Sequence, residues 1–405
     1  MRASVASAAA ITGCGAVSPF GTGVPALWAG LLGGGSALGP IRGFEAGGAK
    51  AGEVPDFDPE RSLGGEAATR LDRVTQFALA AAREALGEAG LDLGRADRSR
   101  AGVILATTLG AKRIGETYRR AKHAGTAFAA RQLLHFPYYA VANRLARELD
   151  VRGPVISPSI ACASGTQAVG WALELIRRGQ GDVFVVGGAE TLCEFVVAGF
   201  TCLRATTREV VRPFDSRRDG LLLGEGAAVL IVESLAHARR RGIEPDVEIC
   251  GTALSGDAVH MTAPARDGAG AARAMRAALA DAGLSPADVD FVSAHGTGTV
   301  YNDAMETAAI AAVFGEAAAR IPVNSIKGAI GHTLGAAGSF EAIMCARVLR
   351  EGLIPPTANC ESLEADCPLD LVVGAPRRGA VRVALSTSSA FAGNNAAIVL
   401  RKARA

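Results

Sequence analysis

"GPVISPSIACASGTQAVGWALELIRRG", Gly153 to Gly179, and "IPVNSIKGAIGHTLGAAGSFEAIMCARVLREG", Ile321 to Gly352, echo one another. Each opens on Pro-Val, passes a turn of small residues, and runs into a helix-patterned segment that stops at a glycine. Glycine is the usual residue just past a helix, because it enters the left-handed region without a Cβ penalty. The first copy carries Cys162 at its turn and the second carries His332. Two similar halves are therefore expected, residues 1–250 and 251–405, with reactive groups supplied by both.

The rest of the chain has the same grain. "AGVILATTLG", "DVFVVGGAE", "GAAVLIVES", "VDFVSAHG", "VRVALSTSS" and "AAIVLRK" read as buried strands. Between them lie the amphipathic stretches "LDRVTQFALAAAREALGEAG", "TQAVGWALELIRRG" and "GAGAARAMRAALADAGL". Strands alternating with helices imply an α/β fold, with mixed or parallel sheets covered by helices.

Composition bounds the function. The 405 residues are enough for two core-sized units. A net charge of +2 gives no support for nucleic acid, so any charged partner must be met by a local patch. The eight cysteines are scattered, with neither a CxxC pair nor a metal-like cluster. That pattern reads as reduced thiols in a cytoplasmic protein with no bound metal. No apolar run is long enough to span a bilayer. "MRASVASAAAITGCG" imitates a lipoprotein cleavage site, but its short alanine-rich run reads as a first buried strand with Cys14 just after its core.

Cys162 is the first candidate for chemistry. With a helix starting near Ala163, the thiol would face unpaired N–H groups and the positive end of a helix dipole, which favour a thiolate. A sharp strand-to-helix turn presents such a side chain outward, and Ala161, Ala163 and Gly165 leave room for a substrate. A buried inert thiol is the competing reading, and it is the one applied to Cys193, Cys250 and Cys345. His295, in "SAHGTGT", ends a strand-like run on a glycine turn lined by Thr297 and Thr299, a common setting for binding sites in α/β folds. Lysine stands at only five positions. Lys327, inside an apolar segment, needs a partner if it is buried. Phe391, in "TSSAFAGNNAAIVL", occupies a small-residue turn that also reads as a plain hairpin. His123, His135 and His237 read as surface or filler, and His260 as a loop residue.

Taken together these segments resemble the β-ketoacyl-acyl carrier protein synthases, particularly the ketosynthase II type. The resemblance runs from "ITGCGAVSPFG" to "AFAGNNAAIVL". It rests most on Cys162 in "ACASG", His295 in "AHGTGT", and Lys327 with His332 in "KGAIGH". It implies a thiolase-like fold, two βαβαβ-type halves in five layers, with the active site between them. It further implies that Cys162 takes an acyl chain from a carrier protein. Backbone N–H groups of Cys162 and Phe391 would form the oxyanion hole. His295 and His332 would stabilise the enolate left when a malonyl carrier loses carbon dioxide, and Lys327 would orient His332. Thr297 and Thr299 match positions that contact phosphopantetheine, which arrives on the carrier rather than as a bound cofactor. Glu306 matches an ordering acidic position that in some relatives lies near a structural monovalent cation. Phe391 matches a gate.

The usual "GFGGTN" is here "AFAGNN", and the Leu203–Arg212 segment looks short. Alanine at 390 and 392 implies a stiffer gate, and both departures favour a specialised pathway such as polyketide or aryl polyene assembly over primary fatty-acid synthesis. An acidic carrier calls for a basic patch, for which Arg70, Arg73, Arg204 and Arg208 are candidates. The family is built from dimers, so a homodimer or a heterodimer with a chain-length-factor-like subunit is expected. Two alternatives compete with the condensing enzyme. A catalytically silent chain-length partner would generally lack Cys162. A degradative thiolase would carry a second active-site cysteine near its C-terminus, where only Cys360 and Cys367 occur.

Overall fold

The computed structural model describes residues 8–364 and 367–403. Residues 1–7, which open the lipoprotein-like start, lie outside the described residues. The first half contributes strands β1 (Ala9–Ser18), β2 (Ala101–Ala106), β3 (Val155–Ile156), β4 (Val183–Glu190) and β5 (Gly226–Ser234). The second contributes β6 (Val247–Gly256), β7 (Phe291–Ser293), β8 (Pro322–Asn324), β9 (Val383–Ala390) and β10 (Asn394–Lys402). Cys14 lies inside β1, 1% exposed, rather than after its core.

The echo holds at the level of topology. The ten strands lie in the order β3-β2-β4-β5-β1 and then β6-β10-β9-β7-β8 within a sheet that the short strand Asp370–Leu371 extends beyond β8. Counted outward from the centre, each half runs first, fifth, fourth, second and third strand. β2 pairs in parallel with β3 and β4, as β7 does with β8 and β9. The remaining neighbours among these ten strands within each half are antiparallel, and the short strand Asp370–Leu371 adds to β8 in parallel. Parallel strands need crossover helices and are buried on both faces, which explains unbroken apolar runs such as "AGVILA". The halves join where β1 meets β6 over Ala9–Ile11 and Val247–Ile249. The second repeat opens at Val247, so a division between 250 and 251 falls inside β6.

Helices complete the layers. α1 (Arg73–Ala89) and α2 (Tyr138–Glu148) cover the outer face of the first half. α3 (Ser164–Arg177) follows Cys162, and α4 (Glu194–Cys202) follows β4. α5 (Ala269–Asp281) covers the outer face of the second half, with α6 (Val300–Phe314) packed on it. α7 (Ala337–Glu351) is the second copy's counterpart of α3. α3 and α7 pack on each other and touch strands of both halves. They form the middle of an α-β-α-β-α stack, as the thiolase-like expectation required. The helix stops are where the glycines put them: Gly90, Gly179 and Gly352 all adopt positive φ. No helix among the described residues is long and apolar enough to cross a membrane.

Two glycines bring the echoed turns together. A Cβ on Gly165 would lie 2.8 Å from the Ser339 nitrogen and 2.9 Å from the Gly335 oxygen. A Cβ on Gly338 would collide with the backbone and hydroxyl of Thr166. The first turns of α3 and α7 thus cross at contact distance, closer than any larger residue allows.

Candidate active site

Cys162 stands at the start of α3, whose first helical residue is Ser164. Ala161, just before it, is held at φ 52, a left-handed conformation that strains a non-glycine residue. The Ser164 hydroxyl fixes this turn by donating to the Ala161 carbonyl at 2.6 Å and accepting from the Ile160 N–H at 2.8 Å. The result is the sharp presentation expected from the sequence. The expected resting thiolate is not found. Burial pushes the Cys162 thiol up to about 12, and the Lys327 ammonium only partly opposes this. Desolvation of a charged sulfur outweighs the favourable helix end.

His295 and His332 converge from the second half. Their rings meet edge to face with centroids 5.3 Å apart, and both side chains are 2% exposed. Each Nδ1 is buried and has no hydrogen-bond partner among the described residues. Burial holds both imidazoles well below the usual histidine range, reinforced by the Lys327 charge. Both are therefore neutral near pH 7 and free to donate from one ring nitrogen.

Lys327 is buried, as its apolar segment implied, and its partner is Glu341 on α7 at 2.5 Å. Its ammonium also donates to the His295 carbonyl oxygen at 2.5 Å. Among the described residues its ammonium makes no hydrogen bond to His332; it anchors the His295 backbone and acts on both rings through its charge. Glu341 also accepts from Ser388 at 3.3 Å, and Ser388 is 2.7 Å from Thr166 on α3. Sequence reasoning missed Glu341, although it is the one acid early in an otherwise apolar helix facing a lysine that needed a partner.

Acidic residues shape the His295 turn. Glu306 accepts from the N–H groups of His295 and Gly296 at 2.6 and 2.7 Å and from Thr387 at 2.9 Å. Burial nevertheless pushes its carboxyl up to about 7. Asp303, not anticipated, accepts from the N–H groups of Gly298 and Phe214. Both Glu306 oxygens already face protein donors. No group of three or more side chains suited to a metal ion occurs among the described residues.

These groups share one cavity of about 410 Å³, lined by Cys162, His295, His332, Thr297, Thr299 and Phe391. Thr297 and Thr299 hydroxyls lie 2.9 Å apart on its wall. His260 lines it too, its Nδ1 accepting from the N–H groups of Thr262 and Ala263 at 3.1 Å. A second cavity, about 310 Å³, shares Cys162, Phe200, Leu203 and Phe391 with the first, and α4 supplies part of its wall. Cys193, Cys250 and Cys345 line neither cavity.

Phe391 sits at the tip of the β9–β10 hairpin, so the plain-hairpin reading of that segment holds. Its ring stacks on Phe200 at 5.7 Å, between the cavities. Ala390 is extended at φ −139 and carries no penalty. Ala392 does adopt the left-handed region, at φ 64, with its N–H donated to the Met261 carbonyl at 2.7 Å. The stiffening expected of both alanines therefore falls on Ala392 alone.

The basic candidates separate. Arg73 is tied to Glu225 at 3.0 Å and to the Val54 carbonyl, and lies over the Phe77 ring. Arg70 pairs with Glu148. Both line a different hollow from the one holding Cys162. Arg73 is held by the buried Glu225, whereas Arg70 stays 44% exposed in a surface pair. Arg204 lines the mouth of the Cys162 cavity, and Arg208 is exposed on the same segment. Arg266, missed in the sequence, lies over Tyr301 at that mouth.

Comparison with known proteins agrees with this geometry. Residues 6–238 match the family model described as beta-ketoacyl synthase, N-terminal domain, and residues 247–361 match its C-terminal domain. The chain is 39% identical to a putative polyketide beta-ketoacyl synthase 1 of Streptomyces halstedii, over 96% of this chain and 97% of that one. It is 36% identical to the 3-oxoacyl-[acyl-carrier-protein] synthase 2 of Staphylococcus aureus, over 97% of each. Among solved structures, the ishigamide ketosynthase/chain length factor superposes with a TM-score of 0.93 at 39% identity, covering 98% of this chain and all of that one. With both halves matched and near-full-length relatives at 36–39% identity, the chain belongs to the β-ketoacyl synthases.

Proposed function

We propose that the chain joins a cysteine-bound acyl group to a malonyl unit carried by an acyl carrier protein. The observation that carries this reading is the placement of Cys162, His295 and His332 on one cavity, with both imidazoles neutral and unpartnered at Nδ1.

In the first half-reaction the Cys162 sulfur attacks an acyl-carrier thioester. The proton of the buried thiol leaves as the new bond forms and ends on the departing pantetheine sulfur, so no free buried thiolate accumulates. The N–H groups of Cys162 and Phe391 receive the developing oxyanion. In the second half-reaction a malonyl thioester occupies the Thr297–Thr299 wall. Its carboxylate departs as carbon dioxide, and the electron pair forms an enolate. One N–H from each of His295 and His332 donates to the enolate oxygen. The enolate carbon then attacks the acyl-Cys162 carbonyl, and the sulfur leaves and takes up a proton. The product is a β-ketoacyl carrier with one two-carbon extension.

The intact thiol and both histidines favour the catalytic subunit over a silent chain-length partner. An acidic carrier would dock at the cavity mouth, on Arg204, Arg208 and Arg266. A second subunit of the same fold, another copy or a chain-length-factor-like chain, would meet the free edge at β3. Val155, Tyr138 and Tyr139 are exposed there. The eight unpaired cysteines support a cytoplasmic working place. The left-handed Ala392 in the gate supports a specialised pathway, such as polyketide or aryl polyene assembly.

Replacing His332 with alanine tests the division of labour. Acylation of Cys162 is expected to persist while malonyl decarboxylation falls at least a hundredfold. Loss of acylation with decarboxylation intact would reverse the assignment.

A further inference from the structure

The second cavity differs chemically from the first. Its lining includes Leu109, Val196, Phe200, Leu203 and Leu334, and its only side-chain hydroxyl among the described lining residues is that of Thr108. That hydroxyl is not offered to the cavity. It donates to Glu190 Oε1 at 2.7 Å.

Glu190 does the same to the rest of that segment. Its carboxylate, fully buried at the end of β4, accepts from the Thr107 hydroxyl at 3.1 Å, the Thr108 N–H, and the Leu109 N–H at 3.2 Å. It also accepts from the Gly335 N–H at 3.2 Å, next to Leu334, which is held at φ 51. The wall residues Thr108 and Leu109 therefore turn their donors to Glu190, and so does Gly335 behind the wall residue Leu334.

A carbonyl oxygen needs donors when it leaves water. An acyl chain with an oxo group along its length would enter this space and find none. An alkyl or polyene chain loses nothing there and gains apolar contact. We infer that Glu190 is a specificity-determining positioning residue: by withdrawing the donors of Thr108 and Leu109 from the wall, it makes the cavity beside Cys162 select acyl chains without oxygen beyond the thioester. This rests on the reading of Cys162 as the acyl-carrying nucleophile.

The test compares acylation rates for three thioesters of equal length on one carrier: octanoyl, octa-2,4-dienoyl and 5-oxo-octanoyl. Mass spectrometry of the Cys162 peptide gives the rates. An apolar pocket rejects one added polar group by on the order of tenfold to a hundredfold. The octanoyl and dienoyl chains are expected to exceed the oxo chain by that factor. In Glu190→Gln, which cannot accept from all five donors, the ratio is expected to fall to within about threefold of unity. Val196→Thr, which adds a hydroxyl to the wall, is expected to narrow the ratio as well. A ratio is read within each variant, so a general folding defect lowers both rates and leaves it unmoved. Equal rates in the parent protein overturn the selectivity and leave the condensing reading standing. A high ratio unchanged by both variants overturns the role of Glu190 and the donor-free wall. Absence of acyl mass on Cys162 with every chain overturns this inference together with the reading beneath it.

Discussion

Lys327 and Glu341 form an ion pair, Nζ to Oε1 at 2.5 Å, in which neither side chain is more than 2% exposed. The same ammonium holds the His295 carbonyl, so the pair ties α7 to the His295 turn. Removing one partner leaves the other charge buried and alone. Glu341→Ala is expected to lower stability by about 3–5 kcal/mol, measured by urea denaturation. The double variant Lys327→Met with Glu341→Leu is expected to recover most of that stability. A cost below about 1 kcal/mol for Glu341→Ala, against that expected penalty, would show that the buried pair is not what holds this turn.

Both active-site imidazoles are held below the usual histidine range, mainly by burial. The neutral, donating form therefore survives below pH 6.5. Malonyl decarboxylation is expected to stay level from pH 7.5 to 6.5, with its acid limb centred lower. Stability moves the other way. The unfolded chain takes up histidine protons first, so these two residues subtract stability as pH falls through about 6.5. An acid limb in kcat centred at or above 6.5 would mean that at least one ring is not buried as described.

The crossing of α3 and α7 at Gly165 and Gly338 sets the distance between the thiol and the histidines. Gly338→Ala would drive a methyl group into the Thr166 backbone. An overpacking cost of about 1–3 kcal/mol is expected in denaturant melts. Displacement of the two turns is expected to lower condensation on the order of a hundredfold. Activity within about threefold of the parent would be too small a loss for a displaced site, and would show that the middle layer can give way without moving it.

Much of the site was legible because turn chemistry is local. Cys162, His295, Lys327 and His332 each sit where a strand-like run meets a glycine-rich turn, and the two echoed segments proved to be equivalent units of a doubled topology. What was not legible depended on distant partners. Arg73 looks like a surface charge at a helix start, yet Glu225, far along the chain, claims it. Glu190 looks like the polar end of a buried strand, and only the fold brings residues 107–109 to it. β6 escaped notice because its first residues are buried and its last are partly exposed, so no single period describes it. The thiolate expected at Cys162 was misjudged because a sequence shows the helix end but not the depth of burial.

The measurement that tests the central claim most directly is mass spectrometry of the protein after incubation with an acyl-carrier thioester, followed by peptide mapping. The account predicts one acyl mass, on the peptide containing Cys162, released with a two-carbon extension when malonyl carrier is added. Acyl mass on any other residue, or condensation by a Cys162→Ala variant, would contradict it.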